Sequence, residues 1–233
     1  MLRIAIITAY YGKFPSYYRA WLRSAQCNPD IDFYIVTDLR VDRLPENVKT
    51  IPLSLDEFRT LIENKLGRKV NLQRPYKICD YRPMYGEIFE DLLKNYDWWA
   101  YADMDVVFGN IRKFLELYNI EEYERFMHMG HLSFYKNNEI NNHAFMLEGA
   151  AHESWEEVIS TDKSCLFDEW SGVYGIYRKN KIPMFRKKIF ADISANYKRF
   201  RLSQDCVNYD HQVFYWQNGG VYRSYIKDGQ LKE

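Results

Sequence analysis

Residues 96–109 read YDWWAYADMDVVFG, and this stretch decides how the rest of the chain is interpreted. The apolar run from Trp98 to Ala102 has the length and composition of a buried β-strand. Asp103 and Asp105 follow it, and because side chains alternate along an extended chain, both carboxylates are predicted to project from one face. Two such charges repel each other unless a cation lies between them, and Mg²⁺ or Mn²⁺ suits carboxylate oxygen. The alternative is a turn with an N-cap for a helix that begins near Asn110.

A second pair of acids provides an internal comparison. Asp30 and Asp32 have the same spacing, but they precede the apolar run at 33–36 instead of following one. Open parallel sheets bind their ligands beyond the carboxyl ends of the strands. Asp103 and Asp105 are predicted to lie at such an end, and Asp30 and Asp32 at the opposite one.

The composition is that of a globular protein. Of the 233 residues, 47% are hydrophobic and 17% aromatic, and the formal net charge is zero. The length allows a substantial core, and the neutral balance argues against a general nucleic-acid binder.

Cysteine usage and hydropathy indicate the compartment. No segment approaches the ~20 apolar residues of a membrane span, and the first apolar run is too short for a signal peptide. We therefore expect a cytoplasmic protein, with any membrane contact peripheral and at the inner face. Four widely spaced cysteines lack metal-site spacing and are interpreted as reduced thiols: Cys27, Cys79, Cys165 and Cys206.

The first third of the chain predicts the nucleotide end of an α/β fold. A buried strand at 2–9 ends in a loop from Thr8 to Gly12, where a doubly wound fold first meets a nucleotide. An amphipathic helix is predicted at 17–26, and a second strand at 32–37 closes on Asp38. That residue is either a contact to the base or ribose or a plain turn residue. There is no G-x-G-x-x-G pattern and no Walker lysine, which argues against a dinucleotide fold and a P-loop.

The middle of the chain predicts a strand and two helices ahead of the central stretch. A short strand is predicted at 48–52. Residues 54–57 have the form of a capping box and are predicted to begin the next helix. A long helix is predicted from Lys77 to about Asn95. Its first turns hold Lys77, Asp80 and Arg82. Either cation can neutralise a diphosphate there, and Asp80 can orient that cation. The alternative is a solvated, salt-bridged helix start.

The second half predicts shorter elements and a late hairpin. We predict a helix at 111–118 and one strand at 125–135, and the Asn218-Gly219-Gly220 turn indicates a β-hairpin. Further short helices are predicted at 141–147 and 154–159. The order of elements favours an α/β fold, with a mixed, mostly parallel sheet flanked by helices. A single domain spanning 1–233 is the economical interpretation, with a nucleotide-binding half at about 1–110 and an acceptor-side half at about 111–233.

Two adjacent acids, Asp168 and Glu169, lie between Phe167 and Trp170. Burial against aromatic rings raises a carboxyl pKa toward the range of a general base, so these acids suit a sugar-binding wall. The alternative is the first turn of a helix, where acids suit the dipole. The six basic residues at 178–188 indicate a solvated face, an anionic acceptor or phospholipid headgroups.

With these residues in view, the sequence resembles a glycosyltransferase of the GT-A fold. More narrowly, it resembles a bacterial glycosyltransferase-like family found among capsule and O-antigen genes, over roughly residues 2–175. The segment from Pro75 to Gly86 is more specific than the D-x-D pattern alone. The other matching segments are Asn28-Pro29, Phe33 to Asp38, Trp99 to Asp105 with Gly109, Gly130 to Leu132, and Phe167 to Glu169.

The resemblance implies a nucleotide-sugar donor, most simply a UDP-sugar, and a saccharide or lipid-linked saccharide acceptor. It also implies a Mn²⁺ or Mg²⁺ ion that bridges the donor's diphosphate to Asp103 and Asp105. Because the departing diphosphate gains negative charge, a metal together with Lys77 or Arg82 would stabilise it. The implied donor-side residues are Thr8, Tyr10, Tyr11, Asp38, Lys77, Asp80, Arg82, Asp103 and Met104.

On the acceptor side, the resemblance makes Asp168 the leading candidate for the general base and Glu169 the second. Gly130 and His131 would line that side, and a base of this kind favours inversion at the anomeric carbon. GT-A enzymes often take a further metal ligand, commonly histidine, from late in the chain. Here His211 is the late histidine, so either it serves, or water does, or the chain is a shortened form with compromised turnover.

Two rival functions follow from the same residues. A phosphatase of the haloacid-dehalogenase type would use Asp103 as nucleophile and Asp105 as acid/base. That fold needs a later pair of metal-binding acids, and its nucleophile strand usually comes first. The other rival is a catalytically inactive module that binds a nucleotide sugar or a glycan.

Overall fold

A computed structural model describes residues 1–194, 196–203 and 207–233 of the chain. Cys206, predicted to be a reduced thiol, lies outside the described residues, and the other three cysteines are free. The strands of the central sheet are β1 Ile4–Ala9, β2 Asp32–Thr37, β3 Val48–Pro52, β4 Trp98–Ala102, β5 Arg125–Met129, β6 Leu132–Lys136 and β7 Met184–Phe185.

The central sheet has the order β3-β2-β1-β4-β6-β5-β7. Strands β1 to β4 are mutually parallel, β6 is antiparallel to β4 and β5, and β7 is parallel to β5. Strand β6 therefore runs against the other strands of this sheet. The predicted class, a mixed and mostly parallel sheet flanked by helices with a late hairpin, is confirmed.

Helices cover both faces of this sheet. Along β1, Ile4 and Ile6 pack with Trp21 on one face, and Ala5 and Ile7 pack into the core on the other. This alternation explains why β1 reads as a continuous apolar run. The α-helices are α1 Tyr18–Gln26, α2 Leu55–Leu66, α3 Tyr85–Ile88, α4 Glu90–Leu93, α5 Ile111–Leu117, α6 Glu139–Asn142, α7 Trp155–Ser160 and α8 Val173–Lys179, with 3₁₀ helices at Pro75–Met84, Ile120–Glu122 and Ala144–Met146.

The long helix predicted at 77–95 is wrong. The segment is a 3₁₀ helix followed by the short α3 and α4, and Pro83 lies inside the 3₁₀ helix. Proline removes one backbone donor, and the chain also approaches its neighbours too closely for a larger residue at Gly86. A Cβ atom there would lie 2.3 Å from Asn142 Oδ1.

The single strand predicted at 125–135 is also wrong, because the chain reverses within it. Strands β5 and β6 are antiparallel, with Gly130 and His131 as the two-residue connection. The helix predicted at 141–147 is likewise divided, because α6 ends at Asn142 and a 3₁₀ helix covers 144–146. The capping boxes at Ser54 and Ser154 are present at the starts of α2 and α7.

The predicted late hairpin is confirmed and carries a third strand. Strands β8 Gln212–Gln217, β9 Gly220–Lys227 and β10 Gln230–Lys232 form a separate antiparallel sheet. The Trp216 indole donates to the carbonyl of Phe108 at 2.9 Å, so this sheet is attached to the chain just after the D-x-D triplet. Within the described ranges, no helix is long and apolar enough to cross a membrane.

Candidate functional site

The parallel strands bring the predicted donor residues to one edge of the sheet. Because β1, β2 and β4 run in the same direction, Thr8, Asp38 and Asp103 lie at or just beyond their carboxyl ends. The Thr8 hydroxyl donates to the carbonyl of Ala102 at 2.9 Å. The backbone N–H of Asp103 donates to the carbonyl of His131 at 2.9 Å, which brings the β5–β6 turn to the same edge.

Arg82 connects the two groups of acids. Its guanidinium donates to Asp103 Oδ1, to Asp168 Oδ2 at 2.9 Å and to the carbonyl of Gly130 at 3.2 Å. It also lies 5.6 Å from the ring centroid of Tyr101. With its side chain 12% exposed, Arg82 is held on every side by groups from separate segments of the chain. The sequence predicted a cation for this region, and the structure places Arg82 there.

The acids around Arg82 are more numerous than the cations. Burial raises the pKa of Asp168 to about 7, although Arg82 opposes that shift. Burial also raises the pKa of Glu169, with Asp103 adding to the effect, and it raises the pKa of Asp103 against the opposing charge of Arg82. Arg82 thus pairs with two carboxyl groups, and Glu169 lies near enough for the charge of Arg82 to affect its pKa. Several carboxyl groups around one guanidinium in a partly desolvated space can give a carboxyl group that is active near neutral pH.

Gly130 and His131, which were predicted to line the acceptor side, lie close to these acids. A Cβ atom on Gly130 would lie 2.8 Å from Glu169 Cγ and 3.2 Å from Asp168 Oδ2, so only glycine leaves room for the acid pair. The His131 ring lies 4.4 Å from that of Phe190. Burial lowers the pKa of His131 although Asp103, Asp192 and Asp105 oppose this, and its buried Nε2 has no hydrogen-bond partner among the described residues.

Lys77 and Asp80 do not face this site, contrary to the sequence prediction. Both side chains are buried, and the Lys77 ammonium donates to Asp80 Oδ2 at 2.8 Å and to the carbonyl of Lys163 at 2.7 Å. Asp80 also accepts from the backbone N–H groups of Cys165 and Phe167, at 2.9 Å each. The third N–H of Lys77 points to Cys165 Sγ at 3.7 Å. The pair therefore anchors the segment that carries Asp168 and has no free donor for a diphosphate.

Of the other residues that were predicted to contact the donor, some lie at the surface and some lie in the core. Tyr10 is half-buried and stacks on Phe14, with 5.6 Å between ring centroids, and Asp38 is exposed. Tyr11 is buried, and its hydroxyl has no hydrogen-bond partner among the described residues. Met104 packs in the hydrophobic core beneath the D-x-D turn, so its side chain does not face the edge.

A divalent ion would find two carboxylates here, Asp103 and Asp105. Asp103 already contacts Arg82, and Asp105 is exposed, so the two acids differ in burial although they are close enough for Asp105 to raise the pKa of Asp103. In the ranges that the structure describes, no three His, Cys, Asp or Glu side chains are grouped to hold a metal. Carboxylate oxygens are the ligand type that Mg²⁺ takes in proteins, where it usually keeps waters and binds phosphate oxygens as well.

His211 is not brought to this pair. It is exposed and precedes β8, whose other end contacts Phe108 through Trp216. Five residues of extended chain separate it from Trp216, a span of roughly 17 Å. No hydrogen bond or ion pair links its side chain to Asp103 or Asp105, so the structure gives no support to His211 as a ligand.

Two residues near the D-x-D triplet, Tyr17 and Trp21, were not predicted from the sequence to lie at the site. Tyr17 is close to the triplet, because Asp105, Tyr10 and Asp103 all add to the burial effect that raises its pKa. Trp21 donates its indole N–H to the carbonyl of Asp103 at 3.2 Å. The helical spacing of Tyr17 and Trp21 indicated a packing face, and no local pattern distinguishes such a residue from one at a site edge.

The fold and the site define an α/β protein whose acids, with one bridging arginine, gather at the carboxyl edge of a mostly parallel sheet. Residues 6–233 match the sequence profile of a family described as "Family of unknown function (DUF6625)", and the chain belongs to that family. A search of curated proteins finds no significant match.

Several solved structures are similar to this chain at low identity. A glycosyltransferase involved in the glycosylation of the major capsid of PBCV-1 is 12% identical, with a TM-score of 0.46, and the match covers 81% of this chain and 83% of that one. The glycosyltransferase GlyE of Streptococcus pneumoniae TIGR4 is 11% identical, with a TM-score of 0.38 and coverage of 81% and 46%. A cytidylyltransferase from Leptospira borgpetersenii serovar Hardjo-bovis is 12% identical, with a TM-score of 0.37 and coverage of 79% and 74%.

Proposed function

We propose that the protein is a glycosyltransferase that moves a sugar from a nucleotide-diphosphate donor, a UDP-sugar as the first choice, to a saccharide acceptor. One observation carries the proposal. A single buried guanidinium, that of Arg82, joins the D-x-D acid Asp103 to Asp168, a buried acid with a pKa of about 7. The donor's phosphates need a positive charge, and the acceptor's hydroxyl needs a base a short distance away. Arg82 would supply the first and Asp168 the second.

The donor side of the proposal rests on charge. Asp103 and Asp105 would hold Mn²⁺ or Mg²⁺ together with the diphosphate, and the ion when bound would neutralise charge on the leaving group. Arg82 is a cation beside that position, and it would take over the role that the sequence gave jointly to Lys77 and Arg82. Tyr10 and Asp38, at the ends of the neighbouring strands, would border the nucleoside.

The acceptor side rests on proton transfer. Asp168 Oδ2 would accept the proton of the acceptor hydroxyl as that oxygen bonds to the anomeric carbon, and the bond from this carbon to the diphosphate oxygen would break with its electron pair leaving on the diphosphate. A base works best when its pKa lies near the working pH, and Asp168 meets that condition. Glu169, held beside it against Gly130, is the second candidate.

The test is a panel of UDP-, GDP- and CMP-sugars, each with and without Mn²⁺, followed by thermal unfolding. A ligand that binds the native state raises its stability by mass action, so even a slow enzyme reports its donor. We expect one nucleotide sugar to raise the Tm in the presence of the metal. The Asp103→Asn and Asp105→Asn variants should lose that increase.

Asp30→Asn is the matched control, because Asp30 belongs to the second D-x-D triplet at the opposite end of the strands and pairs with Arg112. It should keep the full response to donor. No response of the wild type to any donor, with phosphate released from phosphomonoesters instead, would refute the proposal and favour the phosphatase.

A second candidate, a binding module without turnover, is favoured by one observation. Asp103 already contacts Arg82, and the part of the chain that the structure describes offers no third protein ligand beside Asp105. Such a module would show the donor-dependent Tm increase without releasing nucleotide. Measurement of UDP release with and without acceptor glycans distinguishes the two, because any turnover excludes the module.

A further inference from the structure

A groove lies on the surface formed by the segment that follows the acid pair along the chain. The groove is wide open to solvent and has a volume of about 390 Å³, and it is lined by Trp170, Tyr174, Gly175, Arg178 and Lys179. We refer to it as the Trp170 groove. Trp170 is 41% exposed, whereas Trp21, Trp98 and Trp99 are each at most 1% exposed. Concave surfaces lined by exposed aromatic side chains are common ligand-binding sites.

The wall of the groove is built from aromatic rings. The Trp170 and Tyr174 rings lie 4.7 Å apart at 65°, and the ring of His128 lies 5.3 Å from Trp170 and 5.5 Å from Tyr174. The buried Nδ1 of His128 has no hydrogen-bond partner among the described residues. These contacts fix the orientation of Trp170 although one of its faces is open.

The groove and the acid pair share the same supports. Trp170 directly follows Glu169 in the chain, and His128 is two residues before Gly130, which contacts Glu169. The pairing of β5 with β6 shifts register between Phe126 and Met129, and Met127 has a φ of +66°. Such a bulge redirects side chains and is common next to active sites. The groove is thus connected to the acid pair through neighbouring residues of the chain, although neither acid lines it.

The rim of the groove carries an unneutralised cation. The Arg178 guanidinium lies 5.8 Å from the centroid of the Tyr174 ring, and in the described part of the chain it has no carboxylate partner. Its neighbour Lys179 is paired with Glu148 at 2.9 Å. Burial lowers the pKa of His128 to about 4, so at neutral pH this imidazole adds no charge. Arg178 is thus the cation positioned to attract an anion into the groove.

We propose that the Trp170 groove binds an anionic saccharide, with a sugar ring against Trp170 and a carboxylate or phosphate group on Arg178. A pyranose ring has an apolar C–H face that packs on an aromatic surface, and a guanidinium fork matches the two oxygens of a carboxylate or phosphate. The inference rests on the proposed function, because there the saccharide would be the acceptor, placed with a hydroxyl near Asp168.

The test is saturation-transfer NMR on the full chain without any nucleotide. The probes are methyl glucuronide and glucose phosphate as the two anionic sugars, methyl glucoside as the neutral match, and inorganic phosphate. We expect both or one of the anionic sugars to bind more tightly than methyl glucoside, and which of them binds identifies the source of the anion. Inorganic phosphate should bind more weakly than either, because it has no ring to pack on Trp170.

Variants assign the binding to the groove. Trp170→Ala should weaken binding of the anionic sugar by about fivefold, and Trp170→Phe should retain most of it, since an aromatic contact contributes roughly that factor. Arg178→Gln should remove the preference for the anionic sugar over methyl glucoside. Lys181→Gln is the matched control, since it removes an exposed cation outside the groove and should change neither value. Unchanged Tm values confirm that the variants fold.

Three results would overturn the inference. They are no sugar binding, equal binding of neutral and anionic sugars, or binding that Trp170→Ala and Arg178→Gln leave unchanged. The donor-dependent Tm increase of the same preparations separates this failure from a failure of the proposed function. A protein that responds to a nucleotide sugar but not to these probes would still be a glycosyltransferase candidate, with its acceptor bound elsewhere.

Discussion

The Lys77 ammonium lies 2.8 Å from the carboxylate of Asp80, and the two side chains are 1% and 0% exposed. An ion pair this deep is costly to form and is strongly destabilising when one partner is removed, because the other is left as a buried, uncompensated charge. Its hydrogen bonds to Lys163, Cys165 and Phe167 connect the segment before Asp168 to the 3₁₀ helix that carries Arg82. The pair thus positions both partners of the Arg82–Asp168 contact.

Lys77→Met should lower the free energy of unfolding by about 3–5 kcal/mol, measured by urea denaturation. Lys94→Met is the matched control, because Lys94 and Asp91 form a pair with the same i, i+3 spacing on the surface. An exposed pair contributes about 0–1 kcal/mol, so this variant should be close to wild type. Equal effects of the two substitutions would contradict the anchoring role of Lys77.

The raised pKa of Asp168 gives stability a defined pH dependence. The folded state keeps this proton up to about pH 7, whereas the unfolded chain releases it near its ordinary pKa of about 4. The contribution is therefore complete below the unfolded pKa and is lost as the pH rises toward 7, at about 1.4 kcal/mol per unit. Asp168→Asn should gain stability relative to wild type between pH 5 and pH 8 in urea titrations. A constant difference across that range would show that Asp168 titrates normally.

Removing Arg82 should move the titration of Asp168 upward. The Arg82 charge and its hydrogen bond both oppose the effect of burial on the pKa of Asp168, so Arg82→Gln leaves burial unopposed. In ¹³C NMR of the aspartate carboxyl groups, the Asp168 signal should titrate at a higher pH than in wild type. Arg74→Gln, at an exposed arginine that pairs with Asp162, should leave it unchanged. A downward shift in Arg82→Gln would contradict the assigned geometry.

The two D-x-D acids should differ in their effect on the fold. Asp105 is exposed and forms no hydrogen bond or ion pair with other described residues, so Asp105→Asn should change the free energy of unfolding by less than about 0.5 kcal/mol. Asp103→Asn weakens the contact to Arg82 and should shift stability measurably. Chemical denaturation without metal or nucleotide tests this difference. A large effect of Asp105→Asn would indicate a structural role for that residue.

One hydrogen bond from Trp216 should contribute to holding the three-stranded sheet against the rest of the chain. Trp216→Phe removes the donor to the Phe108 carbonyl and should cost about 1 kcal/mol of docking free energy. Limited proteolysis should then cleave more readily within 207–233 while the central sheet stays intact. Trp155→Phe, at a tryptophan that packs on Phe145, should not increase cleavage there.

The sequence predicted the elements whose signals are local. The buried run at 98–102 and the Asn218-Gly219-Gly220 turn each imply one backbone arrangement, and both appear as predicted. The placement of Asp103 at a carboxyl strand end followed from the same run. Gly130 and Asp168, which the family resemblance assigned to the acceptor side, are in contact distance through a packing that no local pattern encodes.

The failures have a common physical origin in tertiary contacts. The pattern at 77–95 has helical spacing, but Pro83 and the close approach at Gly86 shape the chain instead. Lys77 and Arg82 are both cations in the sequence and both are largely buried in the structure, and only the tertiary partners that each one meets decide that Lys77 anchors a loop and Arg82 joins the acids. The β5–β6 reversal was missed because Gly130 and His131 carry no strong turn signal.

Arg82 is 21 residues from Asp103 and 86 residues from Asp168 along the chain. Contacts across such separations have a larger loop-closure entropy cost than contacts within local elements and form more slowly. A chain emerging from the ribosome would therefore hold β1 to β4 and the D-x-D triplet well before it holds a complete site. Ligand affinity is thus acquired at the end of folding, which makes a bound ligand a selective stabiliser of finished molecules over partly folded ones.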